Sequence, residues 1–520
     1  MDEHIERERA YAKICHMKKA LLSFSLLPLL LSCSALGDFS SYSYGELNTA
    51  TFSSNQEEGY RYISEYKAVS SKDESFLSYR DMLQKEVDGS NRTYYLPSTG
   101  VQKLLVIPID FSDYPASSLS SDALSRINRA FFGTDSGSFF SLASYYEQSS
   151  YGRLQIKGKV SSSWFRASLP SSSYETTSLY EQKRYISSIY KEALEWYDEA
   201  YPEDPSSNYA FYVDETLIAP VFFVYSRPYE GMGESKVGRS SFYWAYTINS
   251  PAPICFASYH MIDDGGTSRT FIHEAGHLFG LKDYYDDLCN EDIAEISPLG
   301  RADMMDASLG DHNPFSKLLL NWTQPIEVTS SCSISLRPFS LSGECLLLAP
   351  DWNGSLYEEY LLICFYTPFG LNHYDGRKDA SPSNALPSSP GIMVYKVNAK
   401  LVTYLKNLPT SDYLPNGGVS SKGKKVDFAY SNSLSSLSSY KKALIQLLDH
   451  SSSSEALTPY FVASSSSRQE GNVSYRDVLF KKGSSLSDIK DLTWSNGSKL
   501  DLDFKIEEVS ATYATIAFAL

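Results

Sequence analysis

The segment His273-Glu-Ala-Gly-His277 sets two imidazoles four residues apart, with a carboxylate beside the first. On a helix, residues at this spacing lie on one face, one turn apart. Two imidazoles so placed can hold one zinc ion at about 2.0–2.1 Å each. Zinc brings the pKa of a water that it holds to about 7, and Glu274 stands where it can take that proton and later hand it to a leaving amine. This is hydrolytic chemistry, and it requires a third ligand. Gly280 follows His273 by seven residues and can turn the chain sharply in a left-handed conformation, so that Asp283, three residues further on, swings back to the metal. Asp286 is the alternative third ligand. A bare His-Glu-x-x-His also occurs in helices with no metal, so the glycine and the aspartate carry much of the weight.

These side chains need a helix beneath them. Thr267 and Ser268 can cap one that runs from Phe271 to Phe279 and stops near Gly280. Upstream, Lys103 to Phe111 passes into a continuous apolar run that reads as a buried strand. Helices are expected over Ser121–Phe132, Phe139–Gln148 and Thr177–Tyr201, and strands over Leu154–Val160, Val221–Tyr225 and Ser241–Ile248. This mixture is that of an α+β enzyme domain, residues 99–325. After residue 326, strands are expected at Ser333–Pro338, Leu346–Ala349, Tyr360–Tyr366, Gly391–Val397, Leu500–Ile506 and Thr512–Phe518, which suggests a β-sandwich-like domain over 326–520. A Ser-rich insertion, 407–470, interrupts it, with one helical patch at Tyr440–Asp449.

Composition narrows the partners. The formal net charge of -16 over 520 residues gives nucleic-acid binding no electrostatic support. Met17-Lys18-Lys19 followed by the apolar stretch Ala20–Leu31 has the anatomy of a secretory signal, too short to span a bilayer. Residues 1–16 are polar and charged, which puts Met17 forward as the start of translation. The stretch ends in Leu30-Leu-Ser-Cys33, similar to a bacterial lipobox. Cys33 would then be lipidated and hold an extracellular, surface-anchored protein to the membrane; the alternative is cleavage near Ala35 and full secretion. Residues 34–98 read as a tether followed by a short pro-segment. No cysteine lies between Cys33 and Cys255, so if this segment inhibits, a carboxylate such as Asp73, Glu74, Glu86 or Asp88 must do it, or simple steric cover. Five cysteines remain beyond the leader, and of these one pair, Cys332–Cys345 or Cys345–Cys364, could bridge.

Several segments together resemble known families. His273 to Asp283 is similar to the metzincin zinc-binding motif, with aspartate for the commoner third histidine, and Asp303-Met-Met-Asp306 resembles the Met-turn that floors such sites. Phe271 to Asp286, Asp303 to Asp306 and Gly310 to Trp322 look like the corresponding segments of the immune-inhibitor-A peptidases of bacteria. So do Leu105–Asp113, Ser144–Gly152 and Gly391–Asn398. The resemblance covers about residues 100–400 and implies a metzincin-like zinc endopeptidase that cuts proteins or peptides outside the cell. It implies His273, His277 and Asp283 as metal ligands and Glu274 as the base, and often bound calcium, for which Asp283, Asp286 and Asp287 are the nearest acidic residues. His312 is a candidate donor to the oxyanion of the attacked carbonyl. The chain is expected to act as a monomer. The competing readings are a binding lipoprotein with a vestigial site, which the intact Glu274 opposes, and a metal-dependent hydrolase of another class.

Overall fold

The computed structural model describes residues 59–62, 94–134, 140–175, 179–229 except 214, 243–249 except 244, 252–262, 268–285, 295–378 except 307, 351, 353, 355 and 357, 386–400, 402–404, 426–428, 432, 443–449, 460–462 and 477–520 except 491. The leader, the four carboxylates of the expected pro-segment, Asp286, Asp287 and most of 407–470 lie outside these residues.

The fold is α+β. One mixed sheet runs in the order Leu154–Val160, Gly100–Asp110, Val221–Tyr225, Ile254–Ser258, Tyr246–Ile248. The first four strands are parallel, and Tyr246–Ile248 closes one edge antiparallel to Ile254–Ser258. The apolar run of Gly100–Asp110 is explained by burial on both faces. Leu104 and Val106 enter one core with Ile127, Phe131 and the helix Arg269–Leu278, whereas Leu105, Ile107 and Ile109 enter another with Ile186, Ile189 and Tyr197 of the helix Leu179–Ala200. Phe271 fixes the first helix to the sheet. Its ring stacks on Phe131 at 5.0 Å and meets Phe222 edge-on at 5.3 Å. Truncating such a buried ring costs about 3–5 kcal/mol, so this contact is a main anchor of the helix.

A second sheet runs Tyr60–Tyr62, Ile326–Val328, Cys345–Leu348, Glu359–Tyr366, Gly391–Asn398, Ile445–Leu447, and a third, of three antiparallel strands, is Cys332–Leu336, Ala514–Ala519, Asp503–Val509. The core that holds the helix Arg269–Leu278 continues into the second sheet through Leu347, Tyr360, Leu362, Met393 and Tyr395.

The structure departs from the sequence reading at particular places. The helical patch expected at Tyr440–Asp449 contains a strand, Ile445–Leu447, on the edge of the second sheet. Its apolar run suits either conformation, and the open edge of Gly391–Asn398 supplies the backbone partners that decide it. Of the strand expected over Ser241–Ile248, only Tyr246–Ile248 is a strand among the described residues. The four described cysteines, Cys255, Cys332, Cys345 and Cys364, are free, although Cys345 and Cys364 are register partners on adjacent strands.

Candidate metal centre

The helix Arg269–Leu278 carries His273, Glu274 and His277. Ser268 takes the N-cap position but does not cap by its side chain, as the sequence suggested; its hydroxyl donates to the carbonyl of Phe140 at 2.6 Å. Thr267 lies outside the described residues. At the other end Gly280 adopts φ +93°, and the amide of Leu281 donates back to the carbonyl of Gly276 at 3.2 Å. A side chain would be strained in this conformation. The turn brings Asp283 back alongside the helix, where Oδ1 stands 2.9 Å from Nε2 of His273 and 3.4 Å from Nε2 of His277. His273, His277 and Asp283 are the group of donors among the described residues whose ligand atoms converge closely enough for one metal ion.

The tautomers follow from the outer contacts. Nδ1 of His273 lies 2.8 Å from the carbonyl of Met304, and Nδ1 of His277 lies 2.8 Å from that of Leu281. A carbonyl only accepts, so each Nδ1 carries a proton and a neutral ring turns its Nε2 lone pair toward Asp283. Two imidazole lone pairs and a carboxylate oxygen therefore meet at one point, an arrangement that repels itself unless protons or a cation lie between. The donor set fits zinc: two nitrogens, one oxygen, and an outer carbonyl fixing each ring. Without a metal, protons do this work. Burial opposes charge on His277, but Asp283 and Glu274 outweigh it and raise its pKa to about 9. Burial likewise opposes the charge of Asp283, yet the two histidines hold its pKa well below the usual carboxylate range.

The segment Asp303–Asp306 braces two of these ligands. Met304 supplies the carbonyl for His273, and the carbonyl of Met305 accepts the amide of Tyr284, next to Asp283, at 2.9 Å. Both methionines are fully buried. A Cβ on Gly276 would overlap Met305 Sδ, so the glycine lets this turn close against the helix. Asp303 shapes the turn by accepting from the amide of Met305 at 2.7 Å and from the amide and side chain of Asn313 at 2.6 and 2.8 Å.

Glu274 points from the same helix to the sheet edge. The hydroxyl of Thr247 lies 2.9 Å from its Oε2 and 2.8 Å from its backbone carbonyl. Burial is the main influence on Glu274 and raises its pKa, the direction that suits a proton acceptor working near neutral pH. Thr247 was not evident in the sequence, because one threonine in a strand carries no signal. The same holds for Asn249, which donates to the carbonyl of His277 at 3.2 Å, and for Tyr146, whose hydroxyl donates to the carbonyl of Ile272 at 2.6 Å.

The structure does not bring His312 to this group. Its side chain has no exposed surface, and its ring packs against Tyr145, Tyr146 and Trp322 at 5.7, 6.0 and 5.8 Å. A ring enclosed in this way among aromatic side chains stands apart from the convergent donors of His273, His277 and Asp283. The neighbouring residues are structural as well: Asn313 caps the helix Pro314–Leu319, and Lys317 pairs with Asp311 at 2.6 Å, both buried.

No family model matches the chain, and no curated protein does. Among solved structures, that of a catalytically inactive OgpA from Akkermansia muciniphila, in complex with an O-glycopeptide (glycodrosocin) substrate, aligns over 66% of this chain and 97% of its own. The identity is 11% and the TM-score 0.23, and a likeness at that level supports no transfer of function.

Proposed function

We propose that the chain is a zinc-dependent endopeptidase of metzincin-like type, akin to the immune-inhibitor-A peptidases. The observation that carries this reading is the convergence of His273 Nε2, His277 Nε2 and Asp283 Oδ1, with Glu274 adjacent on the same helix. Zinc bound by these three residues would supply Lewis-acid chemistry, acidifying a water and polarising the peptide carbonyl. The chain's own groups do the rest. His273 and His277 keep their Nε2 lone pairs on the ligand side because Met304 and Leu281 hold the Nδ1 protons. Glu274, raised in pKa by burial and steadied by Thr247, takes the proton of the attacking water and delivers it to the leaving amine. His312 has no part in this scheme.

The proposal includes a metzincin-like catalytic domain over 99–325, a β-sandwich-like domain after it, export, and lipid anchoring at Cys33 at the cell surface. Substrates are proteins or peptides, and calcium is a second expected ion. Casein hydrolysis by the 34–520 protein, beside Glu274→Ala, tests the reading. The variant should retain zinc and lose at least ~10³-fold in rate. An unchanged rate would remove Glu274 from the mechanism.

A further inference from the structure

The stripe of the helix that holds the metal ligands presents one more charged group. Arg269 precedes His273 by four residues and His277 by eight, so the three follow one another along one side. The helical rise sets the backbone of Arg269 about 6 Å along the axis from that of His273.

A guanidinium offers five N–H donors in a planar fork. Here one nitrogen, Nη2, makes a long hydrogen bond of 3.4 Å to the carbonyl of Asp306, and the buried Nε has no acceptor. Burial is the main influence on this charge and works against it; Asp375, Tyr285 and Asp306 offset it, and Arg301 adds repulsion. Three other arginines of the described chain are paired with carboxylates. Arg166 grips Asp110 through two bonds of 2.7 and 2.6 Å, Arg337 pairs with Glu344, and Arg227 pairs with Glu175 at 2.7 Å. Arg269 makes no such pair among the described residues, although it is only half-buried and so within reach of a group arriving from solvent. A half-buried guanidinium whose Nε finds no acceptor among the described residues therefore stands one helical turn from the candidate metal ligands.

We propose that Arg269 is a specificity-determining residue that pairs with a substrate carboxylate in a residue adjoining the scissile bond. The proposal rests on the peptidase reading above and adds the substrate class to it. An extended peptide advances about 3.3–3.6 Å per residue, so an Asp or Glu within two residues of the bond being cut spans the interval between His273 and Arg269. The fork matches a carboxylate in a way that a neutral amide cannot.

The test compares peptides of one sequence that carry Glu or Gln at each of the two positions on either side of the cleaved bond. Wild-type protein should favour Glu at one of them by about 10-fold or more in kcat/KM. Arg269→Gln should bring that ratio close to one, chiefly through KM, and Arg269→Lys should leave it intermediate. Equal cleavage of all Glu and Gln peptides by wild type, which needs no variant to fold, overturns the proposal, as does a ratio that survives in Arg269→Gln. A second measurement separates this idea from the peptidase reading: binding of the same peptides by zinc-loaded Glu274→Gln protein, followed by calorimetry. Tighter binding of a Glu peptide that Arg269→Gln abolishes, without cleavage by wild type, would sink the peptidase reading and sustain the pairing of Arg269 with a ligand carboxylate. Equal binding of Glu and Gln peptides would overturn that role.

Discussion

Nδ1 of His273 donates to the backbone carbonyl of Met304 at 2.8 Å, while the next carbonyl along, that of Met305, accepts the amide beside Asp283. One buried turn therefore orients a nitrogen ligand and positions an oxygen ligand of the same centre. A disturbance of the turn should be felt at His273 and Asp283 through these two carbonyls. Gly276 is the place to apply it, since an added Cβ would overlap Met305 Sδ and press on the Tyr146 hydroxyl. Gly276→Ala should cost about 1–3 kcal/mol of stability as an overpacked core site and weaken zinc binding at the same time. Denaturant unfolding with a parallel zinc titration checks this. A destabilised variant with unaltered zinc affinity would disconnect the turn from the ligands.

Thr247 should matter to rate and not to metal content. Its hydroxyl meets Oε2 of Glu274 and lowers a pKa that burial raises. Thr247→Val removes a hydrogen bond to a charged group, for which about 1.5–3 kcal/mol is usual, or on the order of 10–100-fold in rate. The acidic limb of the kcat/KM profile should move to higher pH, because the carboxylate loses a donor that favoured its charged form. A lower rate with an unmoved limb would mean that Thr247 supports the helix only.

The metal-free protein should respond to pH in a defined window. The pKa of His277 rises from its ordinary 6.5 to about 9 on folding, because Asp283 and Glu274 outweigh the burial that opposes its charge. A raised folded-state value contributes stability that is fully present below pH 6.5 and lost as pH climbs through about 9. Asp283 runs the other way, its contribution being present above its ordinary 3.8 and lost only in strong acid. The melting temperature of chelated protein should therefore fall between pH 6.5 and 9. Zinc-loaded protein should lack this step, and zinc uptake at neutral pH should release protons. Thermal scans across the window, with and without chelator, are the check; parallel curves would contradict the geometry at Nε2.

Shortening the chain to begin at Thr99 should harm it. Tyr60–Tyr62 pairs with Ile326–Val328, and the amide of Leu96 donates to the carbonyl of Leu278, the last residue of the ligand helix, at 2.7 Å. Tyr95 and Leu96 are buried. The shortened protein should melt several degrees lower than the 34–520 protein, since about 1 kcal/mol shifts a domain of 150–250 residues by roughly 2–4 °C. A melting temperature equal to that of the longer chain would show that these contacts add nothing.

Local signals carried the readings that agreed best with the structure. Leu154–Val160 and Val221–Tyr225 have the bounds that their apolar patterns suggested, because pattern and burial act on the same few residues. His273, His277 and Asp283 could be picked out because a helix and one glycine turn relate them within a short span. What escaped the sequence is non-local. Thr247 reaches Glu274 from a neighbouring strand, Tyr146 reaches Ile272 from another helix, and Ile445–Leu447 is a strand because a distant edge pairs with it. His312 drew notice by residue type, yet its burial is set by Tyr145, Tyr146 and Trp322, which no spacing around residue 312 reveals.

If the proposed function holds, peptide hydrolysis depends on one zinc ion held by His273, His277 and Asp283. The most direct measurement is to strip the 34–520 protein with a chelator and titrate zinc back while following casein hydrolysis. Activity should return linearly and saturate at one equivalent, and Asp283→Ala should need far more zinc. Hydrolysis that persists in stripped protein, or that saturates alike in Asp283→Ala, would contradict that dependence.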